Sequence, residues 1–178
     1  VSSEPGFGGK TVEILLPDFS LYNSGTTDTP SGQYLIGVVS GPGDTLAEYI
    51  AFLLVPDRYK MSALSGSNEK TVFVPPSASA NFGLVPIVTG TVVINEGALA
   101  TSSTLVTLTL TCTSIEGCAE MRIANTFPDL VTAPLEGFQA TRDWELSSGA
   151  GVKIVFVQFR AFGWTVWSSQ FADTIELL

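Results

Sequence analysis

A chain of 178 residues, 45% of them hydrophobic and 14% charged, is the size of one domain. At this length a core buries roughly 70% of the surface that the unfolded chain exposes, so folding requires neither a disulfide framework nor a metal. The mean hydropathy of +0.35 excludes intrinsic disorder. Eight Lys and Arg against seventeen Asp and Glu leave a net charge of −9 that opposes a phosphate backbone, and the cations are scattered, so neither nucleic acid nor an anionic lipid surface is an expected partner.

Residues 1–10, rich in glycine and lacking an initiator Met, a basic n-region and an apolar h-region, predict a linker or flexible start. The chain reads as a piece of something longer, either a processed product or an excised domain. Residues 11–178 predict one domain. Period-two alternation predicts strands at 11–16 and 34–39, and apolar or β-branched runs add 46–55, 71–74 and 84–95. The clearest pattern is 104–112, where Val106, Leu108, Leu110 and Cys112 alternate with Thr107, Thr109 and Thr111. Further strands are expected at 120–124, at 152–160, which is apolar enough in its middle to predict a strand covered on both faces, and at 171–177. Phe162, Trp164 and Val166 extend the alternation beyond 160. Turn chemistry fills 23–32, 40–44, 62–70 and 75–81. The nearest approach to a helical period, 45–55, ends in a strand-like block, so one or two helical turns at most are expected. These nine or ten strands predict an all-β fold, an antiparallel β-sandwich and most economically a jelly roll. The longest apolar run, 49–55, is far short of the roughly 20 residues that span a bilayer as a helix.

The chain has no histidine, which removes the commonest general base, the usual partner of a nucleophilic Ser or Cys, and the commonest transition-metal ligand. Cys112 and Cys118 cannot build a tetrahedral zinc site alone. They flank a five-residue stretch suited to a hairpin loop, where they form either a disulfide across its base or two buried thiols. Carboxylates are the remaining catalytic type. Asp28-Thr29-Pro30 lacks the glycine of an aspartic-protease turn and has no second copy, whereas Asp143 and Glu145 have strand spacing that places both acids on one face about 7 Å apart. The stronger reading makes these two solvated charges around a core-directed Trp144. The loop acids Asp28, Asp44 and Asp129 stand singly, and no calcium-loop spacing occurs. No catalytic residue, metal ligand or cofactor contact is therefore expected. Trp144, Trp164 and Trp167 are the candidates for a sugar-stacking platform, with core packing as the competing role; Trp164 and Trp167, three apart, face opposite ways if they share a strand. The segments at 6–9 and 41–43 are turns, without the Lys-Ser/Thr or strand-to-helix context of a phosphate loop.

Three stretches, TPSGQYLIGVVSGPGD, STLVTLTLTCTSIEG and GAGVKIVFVQFRAFGWTVW, give the chain a texture that resembles the protruding β-sandwich domains of small RNA virus coat proteins. The resemblance implies a non-enzymatic domain at the virion surface that assembles as dimers or trimers and presents loops to a host receptor. The alternative class is a carbohydrate- or peptide-binding module or adhesin domain of an extracellular protein. A two-carboxylate hydrolase is the third.

Overall fold

The computed structural model describes residues 11–15, 21–26, 47–55, 58–63, 65–74 and 83–178. The strand expected at 34–39, the linker at 1–10, the acids Asp28 and Asp44 and the turns at 40–44 and 75–81 lie outside the described residues. The described chain is all-β and built mainly from antiparallel pairs. It divides into two compact units, Val1–Val85 and Pro86–Leu178, where the sequence suggested one domain over 11–178.

The first unit contains β1 (Thr11–Leu15), β2 (Leu21–Thr26), β3 (Ala47–Leu53), β4 (Tyr59–Met61), β5 (Glu69–Val74) and, except for its last residue, β6 (Leu84–Pro86). A four-stranded sheet has the order β2-β1-β3-β5, and β4 pairs with β6. Val12, Leu53 and Leu84 form its core, joined by Val55, Tyr59 and Met61. Asn68 clamps β3, its backbone carbonyl accepting from Leu53 N at 2.8 Å and its side-chain Nδ2 donating to Leu53 O at 3.1 Å. The 45–55 segment follows its β-branched and aromatic content into β3 rather than a helix. β2 was not anticipated, because Asn23, Ser24 and Gly25 read as turn chemistry; its pairing with β1 supplies what local preference does not.

The second unit contains β7 (Thr89–Ile94), β8 (Ala100–Thr101), β9 (Leu105–Thr113), β10 (Cys118–Ala124), α1 (Phe127–Thr132), β11 (Glu136–Gly137), β12 (Thr141–Glu145), β13 (Gly151–Ala161) and β14 (Phe171–Leu177). The expected strand 84–95 is thus two strands. Pro86 lacks the N–H a continuous ladder needs, and β6 pairs with β4 while β7 pairs with β9.

Two sheets of this unit, ordered β12-β9-β7 and β11-β10-β13-β14-β8, share one core and make a sandwich-like arrangement. Val92, Ile94, Val106, Leu108, Leu110 and Leu146 meet Met121, Ile123, Val155, Val157, Phe159 and Ile175. Alternation puts these residues inward by the period of two, as along β9, where Val106, Leu108 and Leu110 are buried and Leu105, Thr107, Thr109 and Thr111 exposed. Phe159 is fully buried between the rings of Phe138 and Phe171, at centroid distances of 5.8 and 5.7 Å. Cys112 and Cys118 are joined by a disulfide; β9 and β10 lie in different sheets and do not pair, so the stretch between the cysteines is an arch from one sheet to the other, not the hairpin loop that the sequence suggested. The single described α-helix, α1, is opened by Thr126, whose Oγ1 accepts from Asp129 N at 3.3 Å, with Pro128 in its first turn, and by Leu130 turned fully inward.

Candidate functional site

The five-stranded sheet has a second face, away from the core, and that face is unusual. β13 lies at its centre and sends Val152, Ile154, Phe156, Gln158 and Arg160 outward. The expectation that this strand is covered on both faces is corrected here. Val155, Val157 and Phe159 are fully buried, but Val152 is 70% exposed and Ile154 39%. Phe156 is partly covered by Phe127 of α1, ring centroids 6.2 Å apart, while Phe127 and Val131 themselves remain exposed. Ala172 and Thr174 of β14 stand opposite Phe156 and Ile154. The result is an apolar strip along one half of the outer face, bordered by Thr174 and Glu176.

The other half is polar and aromatic. Register places Glu120 beside Arg160, and an isolated bridge places Trp167 on the far side of Arg160, so the three form a row across the sheet. In the adjoining row Arg122 faces Gln158. Arg160 is ion-paired to Glu120. Arg122 donates to Gln158 Oε1 through Nε at 2.9 Å and Nη2 at 2.6 Å, and to Val131 O through Nη1 at 2.7 Å. Both guanidinium carbons lie against the ring of Trp167, Arg122 at 4.4 Å and Arg160 at 5.0 Å from its centroid. Trp167 is fixed by the backbone next to it: Ser168 N donates to Phe159 O, and Ser168 Oγ accepts from Phe159 N at 3.0 Å. Burial, followed by repulsion from Arg160, lowers the pKa of Arg122 from its ordinary value.

The three tryptophans separate sharply. Trp164 is 3% exposed and offers no ring face; the alternation fails because Gly163, at φ 77°, turns the chain out of the strand. Trp144 packs on the core and donates through Nε1 to Asn125 Oδ1 at 2.8 Å. Only Trp167 stands, half-buried, on the outer face.

Asp143 and Glu145 are exposed on one face of β12, with Asp143 Oδ1 accepting from Thr107 Oγ1 at 3.3 Å, and Arg142 points the other way to pair with Glu136 at 2.8 Å. Asp129 belongs to the α1 cap, its carboxylate accepting from Thr126 Oγ1 at 2.5 Å. Among the described residues no group of three or more metal-ligating side chains occurs, and no helix is long and apolar enough to cross a membrane.

Arg122, Gln158, Arg160, Val152 and Ile154 were not singled out in the sequence. The signal was present as alternate positions of 120–124 and 152–160, but a strand read as covered on both sides conceals which row faces outward.

No family model, curated protein or solved structure matches the chain.

Proposed function

We propose that this chain is a non-enzymatic assembly and attachment domain of the kind that small RNA virus capsids display at the virion surface, with a jelly-roll-like sandwich as its scaffold. The observation that carries this reading is the apolar strip of Val152, Ile154, Phe127 and Val131 on the rigid outer face of the five-stranded sheet. A contiguous apolar surface with a polar border is the chemistry of a protein contact, and a second copy offering the same strip would bury it by a two-fold or three-fold arrangement. The absence of histidine from the sequence agrees with a binding role over a catalytic one.

The test is light scattering behind size exclusion across a concentration series at neutral and mildly acidic pH, on the wild type and on Val152→Glu combined with Ile154→Thr. The reading expects a discrete dimer or trimer of the wild type and an 18.8 kDa monomer of the variant. A wild type that is monomeric throughout, or a variant that assembles equally well, would overturn it.

A second reading, a carbohydrate-binding module, is favoured by Trp167, the one tryptophan of the three that reaches the outer face.

A further inference from the structure

We propose that Arg122 and Trp167 form a binding site for the carboxylate of an acidic sugar unit, such as a terminal sialic or uronic acid of a glycan. This inference rests on the attachment reading above and names the ligand class it would recognise.

The argument begins with charge pairing. Three arginines of the second unit lie in ordered strands. Arg142 is held by Glu136 and Arg160 by Glu120. Arg122 is held only by neutral acceptors, Gln158 Oε1 and Val131 O, and has no carboxylate among the described residues. In a chain with seventeen acids and eight Lys and Arg, a half-buried guanidinium left to neutral partners is an unusual expense of position. A guanidinium has five N–H groups in a planar fork. Three hydrogen bonds orient this one, and they leave donors for an incoming acceptor.

The orientation is built rather than incidental. Gln158 is itself fixed, its Nε2 donating to Ser168 O at 2.8 Å, and Trp167 backs the guanidinium at 4.4 Å. A preoriented fork loses little freedom on binding a carboxylate, which matches it with two parallel N–H···O bonds. Burial, then Arg160, lower the pKa of Arg122, and the negative charge of a bound carboxylate would act against both by favouring the charged guanidinium.

Charge elsewhere selects the ligand. A net charge of −9 repels a polyanion, so nucleic acid or a heavily sulfated chain would be disfavoured before contact. One carboxylate on an otherwise neutral, hydroxyl-rich ligand avoids that penalty. The amphipathic ring of Trp167 and the exposed Ser169 and Gln170 beside it suit sugar C–H and hydroxyl groups. Arg122 and Trp167 lie level with Gln158 and Arg160, about 20–26 Å along β13 from Val152, and Arg122 meets the apolar strip at its near end, through Val131 O.

The experiment is a two-dimensional amide and indole NMR titration of the whole chain with the methyl glycoside of N-acetylneuraminic acid, with glucuronate, and with the uncharged methyl ester of the first. Expected is a saturable shift of the Trp167 indole and the Arg122 Nε signal with at least one acid, and binding at least tenfold weaker for the ester. Arg122→Gln should abolish the shift, Arg122→Lys should weaken it at least tenfold because the fork is lost, and Trp167→Phe should weaken it. Arg142→Gln should leave it unchanged. Preference between the two acids distinguishes a sialic from a uronic source. No saturable shift, equal shifts for acid and ester, or binding indifferent to Arg122→Gln would overturn the proposal, as would an acidic peptide that binds where both sugars fail. Repeating the titration on the Val152→Glu, Ile154→Thr variant separates the two readings. A chain that binds sugar but never assembles defeats only the assembly reading, and one that assembles but gives no shift defeats only this one.

Discussion

The carboxylate of Asp173 in β14 reaches the end of β7, where its Oδ2 accepts from the backbone N–H of Ile94 at 2.8 Å. Ile94 is fully buried, and Asp173 belongs to the inward row of β14 with Ile175 and Leu177. An acid placed in a core-facing row is thus explained by one orphan donor at the junction of two sheets. Asp173→Ala should lower the unfolding free energy by about 1.5–3 kcal/mol, the range for a hydrogen bond to a charged acceptor. Asp173→Asn, which keeps an acceptor oxygen, should cost less. Urea midpoints with unchanged slopes would show this, and equal midpoints for all three proteins would refute the role.

The disulfide between Cys112 and Cys118, six residues apart, closes the short connection that carries the chain from β9 in one sheet to β10 in the other. Loop-closure entropy for so short a ring gives a stabilisation of about 2 kcal/mol. Reduction, or replacement of both cysteines by alanine, should lower stability by that order and speed amide exchange in the connection between β9 and β10. Alkylation of two thiols in the denatured, unreduced chain would instead exclude the bridge.

Gly90 is required by what lies beside it. A Cβ there would sit 2.4 Å from Thr111 O and 2.5 Å from Phe159 Cε2, one a backbone atom and the other part of a fully buried ring. Gly90→Ala should therefore destabilise by about 1–3 kcal/mol through overpacking. Gly137→Ala, where a Cβ meets nothing within 4 Å, serves as the control and should change stability by less than about 0.5 kcal/mol. Thermal unfolding of the two variants side by side decides the matter.

Stability should vary little between pH 6 and pH 9. The chain has no histidine and its two cysteines are bridged, so the side chains that ordinarily titrate there are missing. Among the described residues the two resolved shifts belong to arginines and act with opposite signs. Arg142, raised by its hydrogen bond and attraction to Glu136, contributes stability that is present below the ordinary arginine value and is lost as pH rises through the higher folded value. Arg122, lowered by burial and Arg160, binds fewer protons folded than unfolded just below the ordinary arginine value, so its contribution rises with pH there. Both windows lie at the alkaline end. A difference in unfolding free energy above about 1 kcal/mol between pH 6 and pH 9 would show that another group titrates.

Much of the fold was legible wherever alternation was strict. The run of Thr107, Thr109 and Thr111 against Val106, Leu108 and Leu110 is a strand with one dry face, and β9 has that pattern of burial. Legibility failed where pairing, not local preference, makes the strand, as at β2, and where one residue breaks a periodic run, as at Pro86 and Gly163. Of the candidate site, Trp167 was visible but its partners were not. Arg122 and Arg160 are far apart in sequence, and only the register of β10 against β13 makes them neighbours on one ring.

One of the two shortest ladders of the second unit joins the paired strands farthest apart in its sequence. β8 runs parallel to β14 through Ala100 with Glu176 and Thr101 with Leu177, sealed by Glu176 N to Leu99 O at 3.1 Å and Leu178 N to Thr101 O at 2.9 Å. A sequence-local antiparallel pair such as β13–β14 zips in about 1–10 μs, since its strands are neighbours along the chain. The β8–β14 contact joins residues near opposite ends of the unit, so its closure entropy falls due before any of its hydrogen bonds can form. Refolding of this unit should accordingly be slow, on the order of milliseconds to seconds, with the local β13–β14 pair formed before the two-residue β8–β14 edge.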